Sequence, residues 1–159
     1  MNYRIREIEK TEISLLDDFL YEAIFIPEGV TPPPKDIIED EELQIYVKDF
    51  GKYKDDICFV AEVEGKVVGA VWLRVIDDYG HIDDDTPSLS ISVYKGYRNL
   101  GIGKALIKNV LEELKKRGYK KTSLSVQKAN YAFEIYIKAG YFVYEEREED
   151  YIMVYDLKK

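Results

Sequence analysis

The chain has 159 residues, 46% hydrophobic and 34% charged, with a formal net charge of −8. That length and apolar content suit a single domain over residues 1–159 with a core of its own. The acidic balance weighs against nucleic acid and anionic membranes, which select basic surfaces, and the lone Cys58 excludes an internal disulfide and any multi-cysteine metal site.

Tyr3, Ile5 and Ile8 suggest a first strand, and a chain that enters a strand pattern without a signal peptide's apolar core predicts a cytoplasmic protein. No apolar run approaches the roughly 20 residues that cross a bilayer, so no membrane partner is expected. Ser14 with Asp17 has the form of a capping box before a helix whose apolar stripe is Ile13, Leu16, Phe19, Leu20, Ala23 and Ile24, ending near Pro27. The prolines at 27, 32, 33 and 34 make a stiff loop. Asp36 then predicts a second helix to about Phe50, closed by Gly51.

Ile57 to Val63 and Val67 to Ile76 are apolar and β-branched around the turn signal Glu64-Gly65-Lys66, which predicts an antiparallel hairpin. A polar segment follows, carrying Asp77, Asp78, His81, Asp83, Asp84 and Asp85. In Ser88 to Val93 the apolar Leu89, Ile91 and Val93 alternate with serines at the strand period, whereas Ile102, Ala105, Leu106, Val110, Leu111 and Leu114 recur at the helical period, before Gly118. Thr122 to Val126 alternates again, so strand, helix and strand imply a parallel crossover. Asn130 to Ala139 reads as a short helix stopped by Gly140, and Tyr141 to Tyr144 with Tyr151 to Leu157 as a final strand pair. The predicted order β, α, α, β, β, β, α, β, α, β, β gives an α/β fold, a mixed sheet flanked by helices.

Between the strand ending at Val93 and the helix beginning at Ile102 lie Gly101 and Gly103. The first N–H groups of a helix have no internal partner and sit at the positive end of its dipole, so this junction reads as an anion site. A Walker A loop does not fit, because Lys104 precedes Ala105 and position 98 is Arg; a dinucleotide fingerprint does not fit, because position 106 is Leu and a hairpin comes before.

The run Ile91-Ser92-Val93 followed by Arg98-Asn99-Leu100-Gly101-Ile102-Gly103-Lys104-Ala105-Leu106 resembles the signature of the GNAT superfamily of acetyl-CoA-dependent N-acetyltransferases. The second half of that pattern is matched by Leu124-Ser125-Val126, Asn130, Ala132, Ile135-Tyr136 and Gly140-Tyr141, with Asn130 six residues before Tyr136 where seven is common. The resemblance implies a mostly antiparallel sheet of six to seven strands, four helices and a parallel β-α-β crossover at the cofactor loop.

The resemblance also implies acetyl-CoA as co-substrate, without a metal. The backbone of Ile91, Ser92 and Val93 would meet the pantetheine arm, and the loop Arg98, Asn99, Leu100, Gly101, Ile102, Gly103, Lys104, Ala105 would hold the pyrophosphate. Asn130 would contact the arm or cap its helix, and Tyr136 would be the general acid at sulfur. Many relatives have a Glu where this chain has Thr86, Pro87 and Ser88, so the base is sought among His81, Asp83, Asp84 and Asp85, with His81 best suited by its ordinary pKa. The acceptor expected is a primary amine on a small molecule or peptide, cationic ones being favoured by the acidic charge; Phe25, Ile26, Tyr46 and Phe50 are available to line its pocket. A non-catalytic CoA-binding sensor or interaction module of the same fold is the alternative. The last strands offer a surface for a homodimer.

Overall fold

The computed structural model describes residues 2–158. Its strands are β1 Arg4–Glu7, β2 Ile57–Val63, β3 Lys66–Arg74, β4 Ser88–Val93, β5 Lys121–Gln127, β6 Phe142–Glu146 and β7 Asp150–Asp156. Its α-helices are α1 Leu16–Ala23, α2 Glu41–Gln44, α3 Ile102–Lys116 and α4 Ala132–Ala139. The strands form one sheet in the order β1-β2-β3-β4-β5-β7-β6, antiparallel at every neighbour except β4 and β5. This is the expected α/β architecture, a mostly antiparallel sheet with one parallel crossover through α3.

Side chains of β2 and β3 alternate between two cores, as the strand period of two requires. On one face Ile57, Ala61, Val71 and Leu73 meet Leu106, Val110 and Leu114 of α3, with Tyr136 of α4 nearby. On the other, Cys58, Val60, Ala70 and Trp72 meet Leu16, Phe19 and Leu20 of α1 together with Val47 and Phe50. Because helices cover both faces, β3 is buried without a break from Val68 to Arg74. Glu64 and Gly65 both have positive φ, which gives the β2–β3 hairpin the two-residue turn whose twist matches its strands.

Two expectations for the first third are corrected. Ser14 and Asp17 do not form the capping box; it belongs to Glu9 and Glu12, which open a 3-10 turn over Lys10–Leu15 that runs into α1. The helix expected from Asp36 to Phe50 is a 3-10 turn over Lys35–Glu39, the single-turn α2, and a run of turns after it. Short local bonds of the segment are supplemented there by side chains. The Gln44 amide donates to the Ile38 carbonyl, and the Arg74 guanidinium donates to the carbonyls of Ile45 and Lys48 at 3.0 and 2.7 Å.

Arg74 is buried and pairs through two bonds with Asp56, at 2.9 Å each, while its guanidinium lies over the Phe50 ring. The same Asp56 carboxylate accepts the backbone N–H groups of Gly51 and Tyr53. One ion pair thus fixes the whole 45–56 segment against the end of β3. Trp72 adds a second tie, its indole N–H donating to the Tyr46 carbonyl at 3.2 Å. Among the described residues no helix is long and apolar enough to cross a membrane.

Candidate active site

β4 and β5 pair at one position, Ser88 with Ser123, and then part. At the closed end the Ser123 N–H and the Thr122 hydroxyl both donate to the Pro87 carbonyl. Alternate residues of a strand aim their backbone groups at opposite neighbours. The Tyr94 N–H reaches β3 at Val68, whereas the Pro87 carbonyl reaches β5, so Ile91 and Val93 share the parity of Pro87 and face the widening gap. Two adjacent strands with unshared backbone groups form a slot that takes an extended, amide-bearing chain.

The gap leads toward the head of α3. Asn99 and Gly101 both adopt left-handed backbone, at φ 63 and 85, and wind the chain so that the first helical N–H groups point outward. The first internal bond of the helix is made by Ala105 to the Gly101 carbonyl, and no side chain caps the end. The N–H groups of Ile102, Gly103 and Lys104 are therefore available to a ligand. Helix starts ordinarily carry acidic residues; this first turn has none and presents exposed Lys104.

A Cβ placed on Gly103 would meet no protein atom within 4 Å, so nothing in the fold itself requires glycine at that helical position. The space left over it, with free N–H groups and a lysine beside it, fits a diphosphate.

The structure distributes the other sequence candidates unevenly. The Arg98 guanidinium donates to the Val93 carbonyl at 2.7 Å and reaches Glu22 on α1 at 3.4 Å, so it ties the loop to the end of β4. The Ser92 hydroxyl is spent on the Phe19 carbonyl at 2.7 Å, leaving that residue's side chain out of the gap. Leu100 is exposed at the loop tip. The Asn130 side-chain oxygen accepts the Ala132 N–H at 2.9 Å and so caps the start of α4.

Tyr136 is buried in α4, its ring edge-on to Tyr141 with centroids 5.9 Å apart. Among the described residues its hydroxyl has no hydrogen-bond partner. Burial pushes the phenol well above its ordinary value, so it holds its proton throughout the neutral range.

In the loop joining β3 to β4, His81 and Asp84 approach at 3.6 Å, with Asp84 almost wholly exposed. The His81 Nδ1 is buried without a partner. Asp83 is engaged by the Thr86 hydroxyl, the Asp85 N–H and the Lys121 ammonium, and the Thr86 bond leads in holding its carboxyl below the usual range. Gly80 lies flat on β5: a Cβ there would meet the Leu124 backbone at 3.1 Å, and the Ser123 hydroxyl donates to the Gly80 carbonyl.

Sequence reasoning passed over Asp78 in its search for a base. Its carboxylate accepts from the Ser88 hydroxyl at 2.8 Å, where β4 begins. Nothing in the spacing of that acidic stretch separates Asp78 from its neighbours; only the fold turns it inward. Cys58 lies buried on β2, and burial raises its thiol, which leaves no thiolate for attack. Among the described residues no group of three or more His, Cys, Asp or Glu is placed to hold a metal ion.

The model of the acetyltransferase (GNAT) family matches residues 20–141, most of the chain. A probable N-acetyltransferase, camello of Xenopus tropicalis, is 35% identical over 91 residues, which cover 55% of this chain and 39% of that protein, so the match spans about two fifths of its length. Among solved structures, PaiA N-acetyltransferase from Thermoplasma acidophilum in complex with coenzyme A aligns with a TM-score of 0.73 at 19% identity, over 98% of this chain and 99% of that one. The ribosomal-protein-S18-alanine N-acetyltransferase of Escherichia coli aligns at 0.69 and 20% identity, over 98% and 94%. At these identities the structural likeness speaks for the fold.

Proposed function

The chain belongs to the GNAT acetyltransferase family, and from that premise we propose that it transfers an acetyl group from acetyl-CoA to the primary amine of a small cationic molecule or a peptide. The observation that carries this reading is the gap between β4 and β5 opening toward the uncapped head of α3. The diphosphate of the co-substrate rests on the N–H groups of Ile102 to Lys104, helped by the Lys104 ammonium. The pantetheine amides pair with the backbone of Ile91 and the N–H of Val93, whose carbonyl already accepts from Arg98, and the thioester comes to lie near the closed end.

There the amine attacks the thioester carbonyl directly, since Cys58 is enclosed and neutral. The departing thiolate takes a proton from the Tyr136 hydroxyl, a group of the family pattern that burial keeps protonated at neutral pH. The amine's own proton leaves through the polar loop of residues 77–87, which carries the candidates His81 and Asp84. The acceptor enters past Tyr46 and the 45–56 segment, and the acidic surface favours a cation there.

The test is thiol release from acetyl-CoA in the presence of polyamines, basic amino acids, aminoglycosides and alanyl peptides. Turnover with at least one class is expected. If none turns over while CoA still raises the melting temperature, the chain is a CoA-binding module of the same fold.

A further inference from the structure

We infer that Asp78 is the group that takes the ammonium proton of the acceptor, with Ser88 as its positioning residue. The inference rests on the acetyl-transfer reading above and adds to it a residue from the β3–β4 loop. Ser88 stands at the apex of the gap, on the one pair that joins β4 to β5, and its hydroxyl fixes the Asp78 carboxylate at 2.8 Å. The Tyr46 phenol, on the acceptor-side segment, interacts with the same carboxylate. Asp78 therefore joins the cofactor strand to the wall of the acceptor entrance.

The other acids of the loop are placed differently. Asp83 is consumed by Thr86 and Lys121, and Asp77, Asp84 and Asp85 are exposed. Asp78 is partly buried and has no cationic partner among the described residues. An amine arriving between Tyr46 and Ser88 supplies the missing charge, and burial makes this carboxylate more basic than an ordinary one, against the opposing pull of the Ser88 bond.

The step balances. The ammonium gives one proton to the Asp78 carboxylate, and the freed lone pair forms the bond to the thioester carbon. The nitrogen sheds a second proton as the C–S bond breaks, the thiolate is protonated from Tyr136, and that second nitrogen proton, carried by water, restores the Tyr136 phenol while Asp78 returns its own to solvent. One proton is released to solvent per amide formed.

The experiment uses the intact chain with acetyl-CoA and spermidine, L-lysine or an alanyl peptide, and follows kcat against pH beside the melting shift caused by CoA. Asp78→Asn is expected to lower kcat about 100-fold or more while the CoA shift is kept, and Asp78→Glu to recover part of it. Ser88→Ala removes the bond that holds the Asp78 pKa down, so the acidic limb of the kcat profile should move to higher pH.

The other titratable group at the carboxylate is the Tyr46 phenol; His81, whose backbone N–H donates to the Asp78 backbone carbonyl, and Arg147, whose guanidinium donates to the Tyr79 carbonyl, meet the same stretch of the loop. An active wild type whose Asp78→Asn variant keeps half its rate, or loses less than His81→Asn, overturns the role of Asp78 alone. If Asp78→Asn does not fold, an unmoved limb in Ser88→Ala overturns it. A wild type inactive on all three amines overturns the acetyl-transfer reading itself.

Discussion

Tyr136→Phe should lower kcat by about 100- to 1,000-fold, within the range that a lost general acid costs, and leave the affinity for CoA within about twofold. The substitution removes one oxygen and keeps the ring that stands edge-on to Tyr141, so the fold has little reason to respond. Because burial raises the phenol above its free value of about 10, it remains loaded with its proton further into the alkaline range than a solvated tyrosine. The wild-type profile should accordingly show no loss from this group below about pH 10. Steady-state kinetics with calorimetric CoA binding checks both statements. An unchanged kcat would remove Tyr136 from the chemistry and leave it as a core residue of α4.

Asp56→Ala should destabilise the protein by roughly 3 to 5 kcal/mol, as expected when one partner of a buried ion pair is deleted. The Asp56 side chain is fully enclosed and that of Arg74 nearly so. The deletion leaves the buried guanidinium without its counter-charge, though still bonded to the Ile45 and Lys48 carbonyls, and hands the N–H groups of Gly51 and Tyr53 to water. A typical surface substitution stays within about 0.5 kcal/mol, so urea denaturation resolves the difference easily. A loss under 1 kcal/mol would mean that the 45–56 segment is held by its apolar contacts instead. On the acceptor route proposed above, the pair matters for function because it holds the segment that carries Tyr46.

The two ends of the chain differ in how much their sequence disclosed. From Ile57 onward each element is local in origin. The β2–β3 hairpin is declared by apolar runs around Glu64 and Gly65, α3 by its apolar repeat, and the ends of α3 and α4 by Gly118 and Gly140, both left-handed. The strand–loop–helix junction before α3 was legible for the same reason, since its left-handed turn at Gly101 is a matter of backbone geometry and glycines advertise that geometry.

The segment of residues 35–52 was not legible as a chain of short turns, because the Ile45 and Lys48 carbonyls at its break accept from Arg74, a residue distant in sequence, instead of continuing a helical ladder. Asp78 was hidden in the same way. It is one acid among many until Ser88 and Tyr46 are brought to it by the pairing of β3 with β4 and by the tie of Trp72 to the Tyr46 carbonyl. Arg98 and Ser92 illustrate the converse: both stand in the motif, yet their side chains serve the contacts of β4 and α1.

The claim that the head of α3 is built to hold the diphosphate of CoA is tested most directly by titrating CoA calorimetrically into the wild type and Gly103→Asp. The aspartate would sit in the first turn of a helix with no acidic residue there, in open space, so the fold should be as stable as before or slightly more. Its charge would stand where the diphosphate rests. The expected result is an unchanged or raised melting temperature together with at least about a 100-fold loss of CoA affinity, roughly 2.7 kcal/mol. Equal affinity in the two proteins would contradict it.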